Sequence, residues 1–315
     1  MSTATPNTPI IQPREAAIGR PPLTAAPGLT GRWSLAWTNL SALVRPRIVT
    51  MVLFTMGVSA RLTAGPRTDP WLIAHAVVGT FWVIVGAVIF NQWLEWVSDA
   101  RMPRTAHRPL PAGKIRPPTA VVLASLATAF GLTYLAAFGS ARLLGMTALS
   151  WFLYAGVYTS LKPVSAWQTP IGALSGAAPI LLGAEAAGGL ADPNAWFFFA
   201  FLFLWQFPHA MAIASLYRDQ FMQGNVRVAP VADPSGRTTV LMALGGAIAL
   251  LILGAIWSWT VAMPIGAATL ITGFSLANLL FTVRFALRPD ETTARILLRV
   301  TVLHLPLVCI VLLSL

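Results

Sequence analysis

Nine stretches of about twenty mostly apolar residues, each closed by a short polar segment, leave this chain few ways to fold. They lie at about 46–64, 71–94, 118–138, 142–161, 168–188, 194–217, 238–258, 263–283 and 295–314. A bilayer core about 30 Å thick is crossed by roughly 20 helical residues, whereas a barrel strand needs only about 10. In lipid every backbone N–H and C=O must be satisfied, and a helix does this within one segment. The expectation is an all-α integral membrane protein with nine transmembrane helices. With 56% hydrophobic and only 10% charged residues, the chain is not a soluble protein of its length.

Basic residues orient the bundle. With the N-terminus inside, the inner segments hold 18 of the 21 basic residues, and only Arg61, Arg67 and Arg142 fall outside. The positive-inside rule therefore predicts N-in and C-out, with the loops after spans 2, 4 and 6 on the cytoplasmic face. An excess of 11 positive charges in such a chain marks inner loops and phosphate contacts, not nucleic-acid binding. Residues 1–40, rich in Pro, Thr and Ala without an apolar core, read as a disordered cytoplasmic tail before a membrane domain at 41–315. Arg14, Arg20 and Arg32 leave a mitochondrial transit peptide open, and Glu15 and the prolines weigh against it. The single cysteine, Cys309, excludes an intrachain disulfide and any Cys-based metal cluster.

The scarce charges concentrate in NQWLEWVSDARMPRTAHRPLPAGKI, residues 91–115. If span 2 continues as a helix, Asn91, Glu95 and Asp99 fall at i, i+4 and i+8, a stripe that drifts about 40° per step and covers about 12 Å. Two carboxylates and an amide oxygen facing one way suit a hard cation. Mg²⁺ typically bridges one or two carboxylates to substrate phosphates. Arg104 and Arg108 follow, and guanidinium groups grip phosphate oxygens in pairs. Pro109 and Pro111 end helical continuation. The competing reading is a charged interfacial helix end.

Two further polar patches belong to the same face. Tyr158-Thr159-Ser160-Leu161-Lys162 closes span 4, and Lys162 is either a topology anchor or a point-charge phosphate contact. On the inner half of span 6 lie Trp205, Gln206 and His209, with Asp219 just beyond. Polar groups inside a span are functional candidates by default. His209 can ligate a metal, donate to a carboxylate or satisfy a carbonyl. Asp219 either completes a second metal site or pairs with Arg218. His75 and His304 read as packing, and the glycine-rich run 171–179 as either a close helix crossing or room for a flat ligand.

Taken together, Asn91-Gln92, Glu95, Asp99, Arg104-Thr105 and Arg108-Pro109 resemble the signature of the UbiA-type prenyltransferases. PRIVTMVLFT at 46–55, YTSLK at 158–162 and WQFPH at 205–209 narrow the resemblance to the protoheme IX farnesyltransferase (heme O synthase) family, over about residues 43–310. The resemblance implies a UbiA-type bundle of nine helices that transfers a farnesyl group from farnesyl diphosphate to a vinyl group of protoheme IX (heme b). It implies Mg²⁺ held by Asn91, Glu95, Asp99 and Asp219, and diphosphate held by Arg104, Arg108 and Lys162. Asn91, Glu95, Asp99 and Lys162 become catalytic residues, and Trp205, Gln206 and His209 belong to the heme side. It further implies a bacterial inner membrane in preference to a mitochondrial one, and heme A synthase or terminal-oxidase assembly proteins as partners. Trp96 and Val97 depart from the family's charged pattern, and Gln220-Phe221 stand where Asp-Tyr is usual, one place after Asp219. Other readings are an aromatic quinone-precursor acceptor, a weakened heme-binding homologue, or a transporter. The scarcity of ionisable groups within the spans argues against transport.

Overall fold

A computed structural model describes residues 29–315, so the tail expected over 1–40 lies outside the described residues as far as residue 28. From there the chain is already helical. Helix α1 spans Leu29–Val44 and α2 Pro46–Thr63, with Arg45 between them in the left-handed region at φ 54°. The chain divides into two compact units after Trp37, and the helix bundle and its cavity belong to the second, Thr38–Leu315.

Helices α3 (Pro70–Ala100), α4 (Pro117–Phe138) and α5 (Ala141–Trp151) come next. A π-helical turn, Phe152–Tyr158, leads into the short α6, Thr159–Leu161. Helices α7 (Gln168–Ala186) and α8 (Pro193–Leu216) are followed by two short pieces, α9 (Arg218–Gln223) and α10 (Ala229–Ala232). Three long helices complete the chain: α11 (Arg237–Thr260), α12 (Ile265–Leu287) and α13 (Glu291–Leu313). Proline in the first turn of α2, α3, α4 and α8 costs no internal hydrogen bond, because those N–H groups have no helical partner. Asp69, Asp192 and Asp290 accept from the freed amides as N-caps.

Each of the nine expected segments is helical, but the count of nine spans goes beyond what helix length and composition establish. Six helices are long and apolar enough to cross a membrane: α3, α4, α8, α11, α12 and α13. A seventh arises if α1 and α2 form one bent span. Segment 142–161 is interrupted by the π-helical turn, and α7, with its glycines and the polar ends Gln168 and Glu185, is not apolar enough.

Lipid tails are as apolar as leucine, so these helices associate through close packing and interhelical hydrogen bonds. Gly183 of α7 shows the first: a Cβ there would lie 2.0 Å from the Met56 carbonyl oxygen of α2. The Ser59 hydroxyl ties the same pair together by donating to the Ile180 carbonyl at 2.7 Å. In the other half, Phe198, Phe201, Leu250 and Trp257 form the buried centre of α8, α11, α12 and α13. The loops after α3, α6 and α8 meet at one end of the bundle. There the Arg227 amide donates to the Lys162 carbonyl at 2.7 Å, and the Arg104 amide to Gln220 Oε1 at 3.2 Å.

Candidate active site

Helix α3 runs to Ala100, past its apolar stretch, as Asn91, Glu95 and Asp99 require if they are to share a face. All three line a cavity of about 460 Å³, within the roughly 300–1,000 Å³ usual for small-molecule sites. Trp96 and Val97 are 37% and 49% exposed and form no part of its wall. The positions where the sequence departs from the charged pattern therefore point away from the site.

The π-helical turn brings the second patch onto α3. The Thr159 hydroxyl donates to the Tyr154 carbonyl, five residues back, at 2.9 Å. It accepts from the Asn91 amide nitrogen at 2.9 Å, and that nitrogen also donates to Glu95 Oε1 at 2.9 Å. The Lys162 ammonium then reaches Glu95 and lies 4.3 Å over the Tyr158 ring. Asp99 accepts from Arg108 Nη1 at 2.5 Å. Gly172 of α7 faces Tyr158: a Cβ there would come within 2.7 Å of its ring. Gly176 likewise leaves room for Gln206, whose amide nitrogen donates to the Ala173 carbonyl at 2.9 Å. The glycine-rich run thus admits neighbouring side chains at the cavity wall.

Arg104 is held differently. Its guanidinium lies 4.9 Å over the Tyr217 ring and 5.8 Å from that of Phe221, and its Nε is buried without a partner. Burial, then the Arg108 charge, press this guanidinium below its ordinary pKa. Arg45, which sequence reasoning treated only as a topology signal, also lines the cavity. Among the described residues neither Arg45 nor Arg104 has a carboxylate in ion-pair contact. Four cationic side chains and two carboxylates line the wall, so the site carries an excess of two positive charges. Such a surface is built to receive an anion.

The third patch divides. Gln206 and His209 line the cavity. Trp205 stands behind them, buried and stacked on His209 at 4.6 Å, with its indole N–H donating to the Thr301 carbonyl at 3.0 Å. Asp219 does not join the site. Its side chain is 81% exposed, 4.0 Å from Arg218, and absent from the cavity wall. Gln220, the next residue, instead braces the loop that carries Arg104 by accepting from the Arg104 amide.

Among the described residues no three His, Cys, Asp or Glu side chains cluster as metal ligands. Glu95 and Asp99, hard oxygen donors on one cavity wall, do fit a Mg²⁺ ion that completes its coordination with water and substrate phosphate.

The UbiA prenyltransferase family matches residues 51–303 of the chain. A protoheme IX farnesyltransferase of Rhodopirellula baltica is 34% identical over 284 residues, covering 85% of this chain and 96% of the relative. The fold is that of a digeranylgeranylglyceryl phosphate synthase structure (TM-score 0.72, 14% identity, 88% and 97% covered). It is also that of a UbiA homolog from Archaeoglobus fulgidus bound to GPP and Mg²⁺ (TM-score 0.62, 13% identity, 88% and 100% covered). At these identities the two structures establish the architecture alone.

Proposed function

The chain belongs to the UbiA prenyltransferase family, and from that premise we propose that it transfers the farnesyl group of farnesyl diphosphate to a vinyl group of protoheme IX, giving heme O. The observation that carries the diphosphate half is the excess of two positive charges, with neither Arg45 nor Arg104 in an ion pair among the described residues, on the wall of a cavity that is otherwise mostly apolar. The acceptor half rests on the similarity to protoheme IX farnesyltransferases.

In this reading Arg45, Arg104, Arg108 and Lys162 gather the diphosphate. As the allylic C–O bond breaks, their charges stabilise the departing group where negative charge develops. Arg108 and Lys162 turn from Asp99 and Glu95 toward the phosphate oxygens, which frees both carboxylates. Mg²⁺ bound by Glu95, Asp99 and Asn91 would supply further Lewis-acid neutralisation of the diphosphate. Ile48, Val52, Val83 and Ile84 line the apolar part and keep water from the allylic cation. Tyr154 and Tyr158 line the same cavity, where an aromatic ring can stabilise a cation. The vinyl carbon attacks the cation, water adds to the carbocation so formed, and loss of a proton leaves a hydroxyethylfarnesyl group. No protein nucleophile is needed. The positive-inside distribution supports a site that faces the cytoplasm, and in this reading the membrane is a bacterial inner membrane. The product suits terminal oxidases, with heme A synthase and oxidase-assembly proteins as the partners it implies.

Co-expression with a terminal oxidase, heme extraction and mass analysis test the reaction. A farnesylated heme above the level of a strain without the chain is expected. Its absence refutes the reading, and a prenylated quinone precursor in its place would move the acceptor to that class.

A further inference from the structure

The ring of His209 is pinned from two sides. Trp205, one turn earlier on α8, stacks on it with 4.6 Å between centroids and 17° between planes. From α13 the Thr301 hydroxyl lies 3.0 Å from Nδ1. That hydroxyl also donates to the Leu298 carbonyl of its own helix at 2.9 Å. A hydroxyl has one hydrogen and two lone pairs. In the arrangement where that hydrogen goes to Leu298, Thr301 faces His209 as an acceptor and Nδ1 carries the ring proton, the assignment that the labelling experiment below reads. In a neutral imidazole the free lone pair then sits on Nε2. Among the described residues no side chain or backbone group bonds Nε2, and His209 is part of the cavity wall. Thr301 also fixes the stacking ring, since its carbonyl accepts the Trp205 indole N–H at 3.0 Å. His304 makes the contrast: it is buried, stacked on Phe201, and apart from the cavity.

We infer that Thr301 is a positioning residue that locks His209 in the Nδ1–H tautomer and presents Nε2 to the cavity as a nitrogen ligand for the iron of the acceptor. The inference rests on the heme reading above for the identity of that acceptor. Imidazole is a good ligand for iron, and a ligating histidine almost always donates its other N–H to an oxygen that sets tautomer and ring orientation. Coordination at a fixed ring would hold the macrocycle at one distance and tilt, so that a vinyl group rests against the farnesyl binding region. Two pinned contacts from α13 to α8, one hydroxyl and one carbonyl of a single residue, give that geometry its rigidity.

The full-length chain in detergent tests this with two readouts. The chain has four histidines, and ¹⁵N labelling of them, with His209→Ala to assign the signal, reports the tautomer without any heme. Protonated Nδ1 and bare Nε2 are expected, and the reverse overturns the inference. Heme titration followed by visible and EPR spectra reports the ligand. His209→Ala should abolish an imidazole-ligated spectrum. Thr301→Val should weaken heme binding about tenfold, the lower end of the 10–100-fold effect of such outer partners, and Thr301→Ser should restore it. If heme binds and its spectrum is unchanged in His209→Ala, or if Thr301→Val binds as the parent does, the inference fails while the farnesyl-transfer reading stands. If the parent chain binds no heme, the acceptor assignment fails and takes this inference with it.

Discussion

Glu95 and Lys162 offer the sharpest separation of fold from chemistry. Their side chains are each 15% exposed and in direct ionic contact. At an effective dielectric constant near 20, two unit charges about 4 Å apart attract by about 4 kcal/mol. Taking both out of water offsets much of that, so the pair as a whole adds little to stability. Removing one partner is different, because it leaves a buried charge alone, at a cost of about 3–5 kcal/mol. Lys162→Met and Glu95→Gln should therefore each lower the thermal midpoint in detergent at a fixed heating rate, and the double variant should recover most of the loss. That recovery appears as a coupling energy of about 0.5–3 kcal/mol. Activity should behave otherwise. If Lys162 meets the departing diphosphate, its loss costs roughly a hundredfold to a thousandfold in kcat, the scale of a single preorganised donor at a transition state. The double variant regains stability and no turnover. Recovery of heme farnesylation alongside stability would refute the reasoning, because the pair would then serve the bundle alone.

Four other outcomes follow from the same geometry. Arg104→Gln removes a guanidinium with no carboxylate to orphan, so stability should hold while binding of farnesyl diphosphate weakens about tenfold to a hundredfold; isothermal titration checks this, and unchanged affinity counts against the clamp. Gln220→Asp shortens the brace that accepts from the Arg104 amide and sets a negative charge near a site for anions, so it should lower turnover; a gain would instead revive a second acidic metal site. Gly183→Ala puts a Cβ 2.0 Å from the Met56 carbonyl where ordinary contact begins at 3.4 Å, so α2 and α7 must part or distort, at about 1–3 kcal/mol; an unshifted thermal midpoint would contradict the packing. The Asp233 carboxylate, in the loop before α11, is held well below its ordinary 3.8 by hydrogen bonds from the Ser235 and Thr238 side chains and the Thr238 amide. A lowered folded-state pKa stabilises above the unfolded value and is lost as pH falls through the folded one. Hydrogen-exchange protection of the Thr238 amide should hold at neutral pH and erode only well below pH 3.8, whereas erosion between pH 7 and 5 would assign it to another group.

Much of the site could be read from spacing because helical periodicity is a local property. Asn91, Glu95 and Asp99 share a face for that reason alone, and a longer α3 is all they require. Arg104, Arg108 and Lys162 were legible as the cations nearest that face in a charge-poor chain. What escaped depends on contacts between distant segments. Arg45 looks like one more positive-inside charge, and only the left-handed turn before α2, set against the α3 wall, turns it into part of the cavity. Phe152–Tyr158 reads as continuous apolar helix, yet its π-helical turn brings Thr159 to Asn91 across 68 positions of sequence. A threonine within an apolar span ordinarily bonds its own helix, as Thr301 also does, so its second contact to His209 left no trace in the pattern. Asp219 misled in the opposite direction: acidic and near the motif, it sits on a short helix that turns it to the surface.

The departures from the family signature bear on activity through where they point. A lost charge weakens a site only if the side chain belonged to its wall. Positions 96 and 97 lie on the outward side of α3, with Glu95, Ser98 and Asp99 on the inward one. Trp96 and Val97 therefore change what α3 shows to lipid or headgroup and remove nothing from the donors facing the cavity. Gln220 is a different case, since it touches the site through the Arg104 amide. An aspartate in its place would subtract from the positive excess that draws in the diphosphate, and a neutral amide preserves it. Fewer acidic groups at the mouth shift the balance of anion capture from bridging cations toward the protein's own guanidinium groups, and two of those, Arg45 and Arg104, have no carboxylate partner to release among the described residues. On the proposed reading, such a diphosphate site leans more on arginine and less on metal.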